Sequence, residues 1–547
     1  MAVHFDPPLN AASLVEIAQM RASVTPDDLA FCFLVDGETE GPRLTYAELN
    51  RAACALAARL RDIAQPGDRA ILLYEPSIDF IPAFLGCFYA EIIPVPAYPP
   101  RLDRLAQSWS GLARLLHDCE PRIGLTTGDL VSTLSRGLAN QDCPGVEHWI
   151  ATDQVDRSRA GQWRQPHIDP EATAFLQYTS GSTTTPRGVM VSHRNLLHNE
   201  RMLQEATEHS GPGLGVCWLP LHHDMGLLGG ILQALFHGAP VMLMSPLAMV
   251  QRPIRWLQAI SRYRADTSGG PNFAYDMCVE RISAEQKAGL DLSNWSVAIV
   301  GAEPINPKTL ERFATAFEPC GFRPEAFYPS YGLAEATLFV TGGAKTAQPV
   351  VCSFEARSLE QGAPRQTAAD SVGARTLVGC GHAWMGQELV IVDAGNGTRR
   401  PAGSIGEIWV RGPSVARGYW NRLEESIITF GAKIAGEGGE PFLRTGDLGF
   451  IHDGELFVTG RCKEILIVRG RNYYPQDIEA TVQSCNPALR SGGGAAFEIQ
   501  GDGGTRIVIV QELDRKLGRG ADLTQLAGDV RQIVAEVHAL QVHDVVF

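Results

Sequence analysis

Residues 178 to 188 read Tyr-Thr-Ser-Gly-Ser-Thr-Thr-Thr-Pro-Arg-Gly, a run of hydroxyls and glycines that ends in a cation, Arg187. These are the groups a polyphosphate requires. Backbone N–H groups in a turn converge on anionic oxygens, Ser and Thr hydroxyls add neutral donors, and a guanidinium adds fixed charge. The Gly-x-x-x-x-Gly-Lys-[Ser/Thr] spacing of a Walker loop is absent. A polar hairpin facing solvent has the same composition, so partners must be sought elsewhere in the chain. Three segments qualify, each at the end of an apolar run, where open α/β sheets hold ligands. Val297–Val300 leads into Gly301-Ala302-Glu303, where a Gly-Ala turn lets a planar ring approach the backbone. Tyr331-Gly332-Leu333-Ala334-Glu335 offers an aromatic for stacking and a carboxylate for a hard cation. Arg444–Gly449 sets a lone carboxylate, Asp447, in a turn where it can accept two bonds from a ribose diol. Singly, each has an ordinary structural explanation: Tyr331 as core, Glu335 as a charge at a helix start, Asp447 as a turn-former.

The elements that must position these groups follow from periodicity. Thr45–Ile63 carries apolar residues at helical spacing, Arg69–Tyr74 reads as a buried strand, and Ile78–Ala90 is again helical. The alternation recurs at Val216–Leu219 with Gly226–Phe236, at Val241–Met244 with Arg252–Arg262, and at Ser296–Val300 with Pro307–Phe317. Such βα alternation predicts a layered α/β architecture with parallel strands. After Val378 the short strand-like runs Glu388–Val392, Gly406–Arg411 and Glu455–Val458 predict a smaller β-rich subdomain. A last block, Asn472–Phe547, mixes helix and strand and joins the rest through Gly460-Arg461-Cys462-Lys463, a junction suited to a hinge. The expected organisation is an N-terminal domain over residues 1–460 and a small mobile α+β C-terminal domain over 461–547.

Composition narrows the function. A chain of 547 residues with 45% hydrophobic and 20% charged residues has the make-up of a globular protein. Its net charge of −14 lacks the footprint of a nucleic-acid binder. Twelve cysteines without a Cys-x-x-Cys pair give no basis for a zinc ribbon and read as reduced thiols. The N-terminus shows no signal peptide, and Met225–Phe236, the most apolar stretch, is too short to span a bilayer. The expectation is a cytoplasmic protein with no transmembrane segment and no nucleic-acid partner.

Taken together and in order, YTSGSTTTPRG at 178–188, YGLAE at 331–335, RTGDLG at 444–449 and GRCKEILIVRGRNYYPQDIE at 460–479 resemble the acyl-adenylate-forming superfamily. The resemblance runs from Leu44 to the end. It implies that Thr179, Ser180, Gly181, Ser182, Thr183, Arg187 and Gly188 hold the β- and γ-phosphates of ATP. Gly301, Ala302, Glu303, Tyr331 and Gly332 would frame adenine, Asp447 and Arg461 would hold the ribose hydroxyls, and Glu335 would ligate Mg²⁺. A carboxylate would attack the α-phosphorus and expel pyrophosphate, with His223, Glu335 and Arg461 as catalytic groups. Such a step rests on positioning and charge neutralisation and needs no general base.

Leu219–Leu227 (LPLHHDMGL), Gly270–Tyr275, Gly412–Trp420 and the long connector Thr341–Leu377 resemble one branch, the fatty acyl-AMP ligases. That branch implies a fatty acid substrate and transfer to an acyl carrier protein or a polyketide or peptide synthase carrier domain, the connector disfavouring coenzyme A. A fatty acyl-CoA synthetase and a non-catalytic acyl- or nucleotide-binding protein are the alternatives. His222 and His223 have no partner spacing for a metal. The acyl pocket is expected among Asp224–Gly230, Pro246–Val250 and Ser268–Met277, where Gly229, Gly230, Gly269 and Gly270 stand beside apolar walls. Arg187 replaces the usual Lys, a fork in place of a point charge. Relatives continue into a Gly-Lys segment that has no match before Phe547. Either the C-terminal domain is truncated before that segment, or adenylation is expected to be slow, which pyrophosphate exchange measures.

Overall fold

The computed structural model describes residues 11–100, 105–139, 145–179, 186–208, 213–464, 466–468, 471–501, 504–538 and 540–547. At its centre Leu29–Leu34, Val241–Met244, Gly215–Cys217, Thr267–Gly270, Val297–Val300 and Phe327–Gly332 run parallel in that spatial order. Antiparallel strands close the two edges, Glu40–Thr45 on one side and Phe339–Gly342 with His382–Ala383 on the other. Neighbouring residues alternate between two cores. Phe31, Cys217, Val241 and Leu243 enter one, while Cys32, Val216, Met242 and Met244 enter the other. Burial on both faces is what makes these strands continuously apolar.

A second parallel sheet orders Ile93–Ala97, Arg69–Leu73, Ile123–Thr126 and His148–Ala151. The helix Tyr46–Arg61 begins at a capping box in which Thr45 and Glu48 satisfy each other's backbone N–H groups. Expectation and structure coincide at Val297–Val300 and at the helix Pro307–Phe317, which Asn306 caps ahead of Pro307 at the first helical position. They differ at Gly226–Phe236. The chain there winds as α over Asp224–Gly226, widens to a π-helix over Leu227–Leu232 and returns to α over Gln233–His237. The Gly229-Gly230 pair has little preference for regular α winding, and π segments gather at functional sites.

Glu388–Val392, Gly406–Arg411, Leu443–His452 and Glu455–Arg461 form an antiparallel sheet. The connector is folded: Val351–Glu355 pairs with Ala374–Val378, and its Phe354 is fully buried against Phe450 and Phe457. In the last block the helices Pro475–Cys485 and Leu523–His538 pack on one face of the sheet Leu489–Gly501, Gly504–Leu513 and Val542–Val546, with Ile478, Val482, Ile507, Ile509, Val530 and Val534 in the core. Arg375 of the connector reaches this block. Its Nε lies 2.9 Å from Asp477 Oδ1, and its guanidinium sits over the Tyr474 ring. Among the described residues no helix is long and apolar enough to cross a membrane.

Candidate active site

Gly215–Cys217 and Thr267–Gly270 are in register only at Gly215 and Thr267, so the sheet parts beyond that point. A cavity of about 1030 Å³ occupies the parting and runs out over the C-terminal ends of the strands. Ligands collect there in open α/β sheets, where neighbouring strands lead away in opposite directions.

One end of the cavity gathers charge. The hairpin Thr173–Thr179 and Arg187–Ser192 pairs Thr179 with Arg187, and both line the cavity. Ser180, Gly181, Ser182 and Thr183 lie outside the described residues. Arg187 Nη2 is 2.9 Å from Glu425 Oε2, and its guanidinium lies 5.3 Å from the centre of the Tyr419 ring. The Tyr419 hydroxyl in turn donates to Glu335 Oε1 at 2.8 Å. Burial and the Glu335 carboxylate push the Tyr419 hydroxyl's pKa up, so it stays a donor. Gly188 is not brought to the cavity. A Cβ there would fall 2.8 Å from the Tyr178 ring, and its carbonyl accepts the Trp420 N–H at 2.7 Å.

Gly301, Ala302, Tyr331 and Gly332 line the next stretch. Glycine is required at 301, where a side chain would meet the Ser330 carbonyl at 2.8 Å, and at 332, where it would collide with the Leu338 carbonyl. Glu303 turns away and accepts the Asn272 backbone N–H at 2.8 Å and the Asn272 side-chain amide at 2.9 Å. Tyr331, expected to offer a stacking face, is buried, and its hydroxyl donates to Asp447 Oδ2 at 2.7 Å. Asp447 Oδ1 meets Arg461 Nε at 3.0 Å across a strand pair. Burial raises the Asp447 pKa, Arg461 opposes that rise, and the carboxylate raises Arg461's own. Arg461 lines the cavity; Asp447 stands behind it.

At the mouth of the channel His223 Nδ1 is 2.6 Å from Asp224 Oδ1, an ion-pair partner that raises the imidazole pKa. His222 is held neutral, its pKa lowered to about 4 by burial and by His223. Its carbonyl accepts the Gln177 amide at 3.0 Å. From there the channel passes between Met225, Gly229, Gln233 and His237 on the helical side and Cys217, Ser268 and Phe339 on the sheet side. Of the segments expected to form the pocket, Pro246–Val250 does not line it, and of Ser268–Met277 only Ser268 and Gly269 do. Met249, Ala274 and Tyr275 are buried with Trp256 and Trp295 in the core on the opposite face of the sheet. Apolar character marks a residue as buried without saying on which face.

Among the described residues no three His, Cys, Asp or Glu side chains cluster to hold a metal. Glu335, one of the carboxylates at the cavity wall, fits an ion that takes its remaining ligands from phosphate and water, as magnesium does. Sequence reasoning missed Tyr419, Glu425 and Gln177. Tyr419 belongs to the Gly412–Trp420 stretch, but no spacing rule links it to Glu335, 84 residues earlier.

Against this geometry the AMP-binding enzyme family matches residues 18–420. The chain is 42% identical to the medium-chain-fatty-acid–[acyl-carrier-protein] ligase JamA of Moorena producens, over 98% of this chain and 91% of that protein. It is 34% identical to the corresponding ligase TtuA of Teredinibacter turnerae, over 98% and 90%. The crystal structure of the fatty acyl-adenylate ligase from L. pneumophila, in complex with acyl adenylate and pyrophosphate, superposes with a TM-score of 0.80 at 39% identity, covering 98% and 92%. By the residues matched and the share of each chain covered, this chain belongs to the AMP-binding enzyme family.

Proposed function

We propose that the protein joins a fatty acid to AMP, using ATP and releasing pyrophosphate, and passes the acyl group to the phosphopantetheine thiol of an acyl carrier protein. The observation that carries this reading is the continuity of one cavity, from the charged cluster at Arg187, Glu335 and Arg461 into the channel beside Gly229. An adenylating enzyme needs a nucleotide site and an acyl site that meet at the α-phosphate.

In the first step a carboxylate oxygen bonds to the α-phosphorus, the α–β phosphoanhydride bond breaks, and pyrophosphate leaves. Thr179 and Arg187, with Ser180–Thr183, are the groups assigned to the departing phosphates. Glu425 and Tyr419 hold Arg187 in place before substrate arrives, which lowers the reorganisation needed as charge develops. Glu335 would hold Mg²⁺, and the ion would supply charge neutralisation for the phosphates. Gly301, Ala302 and Gly332 leave room for adenine, Arg461, held by Asp447 behind it, takes the ribose hydroxyls, and His223 faces the carboxylate. In the second step the thiolate bonds to the acyl carbon and the bond to AMP breaks. The chain divides for this step into residues 1–460 and 461–547, which turn about Arg461–Lys463 to bring a second face to the site.

Thin-layer detection of acyl-AMP across an even-numbered series of fatty acids tests the first step. Offering holo-carrier protein and coenzyme A side by side tests the second. Equal use of coenzyme A assigns an acyl-CoA synthetase instead. Failure of hydroxylamine to trap any acyl-adenylate overturns the catalytic reading altogether.

A further inference from the structure

Gly226, Gly229, Gly230, Gly269 and Gly270 are among the glycines on or beside the channel, and the structure separates these by what each must avoid. A Cβ at Gly226 would collide with the Pro220 carbonyl, and one at Gly269 with the Ile299 carbonyl. At Gly230 it would stand 2.6 Å from Cys217 Sγ, and at Gly270 2.6 Å from the Trp218 ring. Packing therefore dictates glycine at these four positions. At Gly229 a Cβ would meet one atom, Leu338 Cδ2, at an ordinary 3.5 Å. Nor does the backbone demand glycine there, since Gly229 is helical and is not among the positive-φ glycines.

Within a helix glycine is less favourable than alanine by close to the full range of ordinary propensities. A glycine retained where neither packing nor backbone needs it points to a use for the empty space. The helix shows what that space is. Its cavity-lining residues include Met225, Gly229, Gln233 and His237 at intervals of four, with Gly230 and Ala234 beside them, and of these the two glycines alone have no side chain.

We propose that Gly229 sets the bore of the acyl channel and thereby the longest acid this protein activates. Resting on the fatty-acid reading above, the assignment makes Gly229 a specificity-determining residue. A chain shorter than the distance to Gly229 never passes it. A longer chain must run past Gly229, beside Leu338, to reach the part of the cavity lined by Ala234 and Ala239.

The experiment measures kcat/KM for acyl-adenylate formation across a fatty acid series in the wild type, Gly229→Ala, Gly229→Leu and Gly230→Ala. The readout is the ratio for the longest to the shortest acid that the wild type accepts. Gly229→Leu lowers this ratio by about tenfold to a hundredfold, the scale of overfilling a packed space. Gly229→Ala lowers it by a few fold while raising Tm, because alanine is the better helix former. Gly230→Ala instead lowers Tm through the Cys217 contact, the signature of a glycine that packing requires. A ratio unmoved in both Gly229 variants, or a uniform loss across chain lengths with a lowered Tm in Gly229→Ala, overturns the assignment. If the wild type forms acyl-adenylate from no acid, the fatty-acid reading falls and this one with it. If it does and the ratio stays fixed, Gly229 alone is misassigned.

Discussion

Tyr419 touches two charges of opposite sign at once, its ring beneath Arg187 and its hydroxyl on Glu335. It therefore sets the distance between the group assigned to the leaving phosphates and the group assigned to the metal. Tyr419→Phe keeps the ring and removes the one hydrogen bond. A bond to a charged acceptor contributes about 1.5–3 kcal/mol, so pyrophosphate exchange is expected to slow by about tenfold to a hundredfold. The Mg²⁺ concentration for half-maximal exchange rises with it, since Glu335 loses its orienting donor. An unchanged Mg²⁺ requirement separates Tyr419 from the metal. Residues with this kind of role were only partly legible in the sequence. Asp447 and Arg461 could be named from their motifs, and they meet at 3.0 Å. That Tyr331 uses its hydroxyl on Asp447 while burying its ring is a matter of side-chain direction, which residue type does not carry. Gly188 looked like part of the phosphate loop and turns out to make room for the Tyr178 ring.

At the scale of elements, periodicity located strands and helices well where a cap or proline marked the start, as at Asn306-Pro307. It gave no sign of the π winding at Leu227–Leu232 or of which sheet face carries the channel. The connector shows how a segment without periodicity acquires a role. Its Arg375 pairs with Asp477, whose carboxyl is lifted from 3.8 to about 6, burial outweighing the pull of Arg375. Between about 3.8 and about 6 the folded carboxyl keeps a proton that the unfolded one has lost. The stability Asp477 contributes is present below that window and is lost as pH rises through it. The Tm of the wild type minus that of Asp477→Asn is expected to fall as pH rises through the window and to level off above it. A difference that rises instead means that Arg375 dominates. The same contact bears on acceptor choice: Arg375→Ala, by releasing the last block, is expected to increase thioester formation with coenzyme A.

For the molecule as a whole, the junction between the two proposed bodies is tied into the site it serves. Arg461 ends a strand and pairs with Asp447, while the Cys462 N–H donates to the Gly446 carbonyl at 2.8 Å. The residue that would hold the ribose and the residues that would turn are thus neighbours in the chain, so a rotation there is coupled to what the nucleotide site contains. Proline at 462 removes the N–H and fixes φ near −65°, which restricts the turn while leaving the Arg461 side chain in place. On the proposed division adenylation would take place in a single arrangement of the bodies, whereas a full cycle would require passage between two. Cys462→Pro is accordingly expected to lose more of acyl transfer than of adenylation. In a rapid-quench experiment acyl-AMP would accumulate on the variant, and thioester on the carrier protein would lag behind the wild type. Equal loss in both half-reactions would mean that proline has disturbed the Asp447–Arg461 pair itself, and the hinge would then have to be sought elsewhere in the junction.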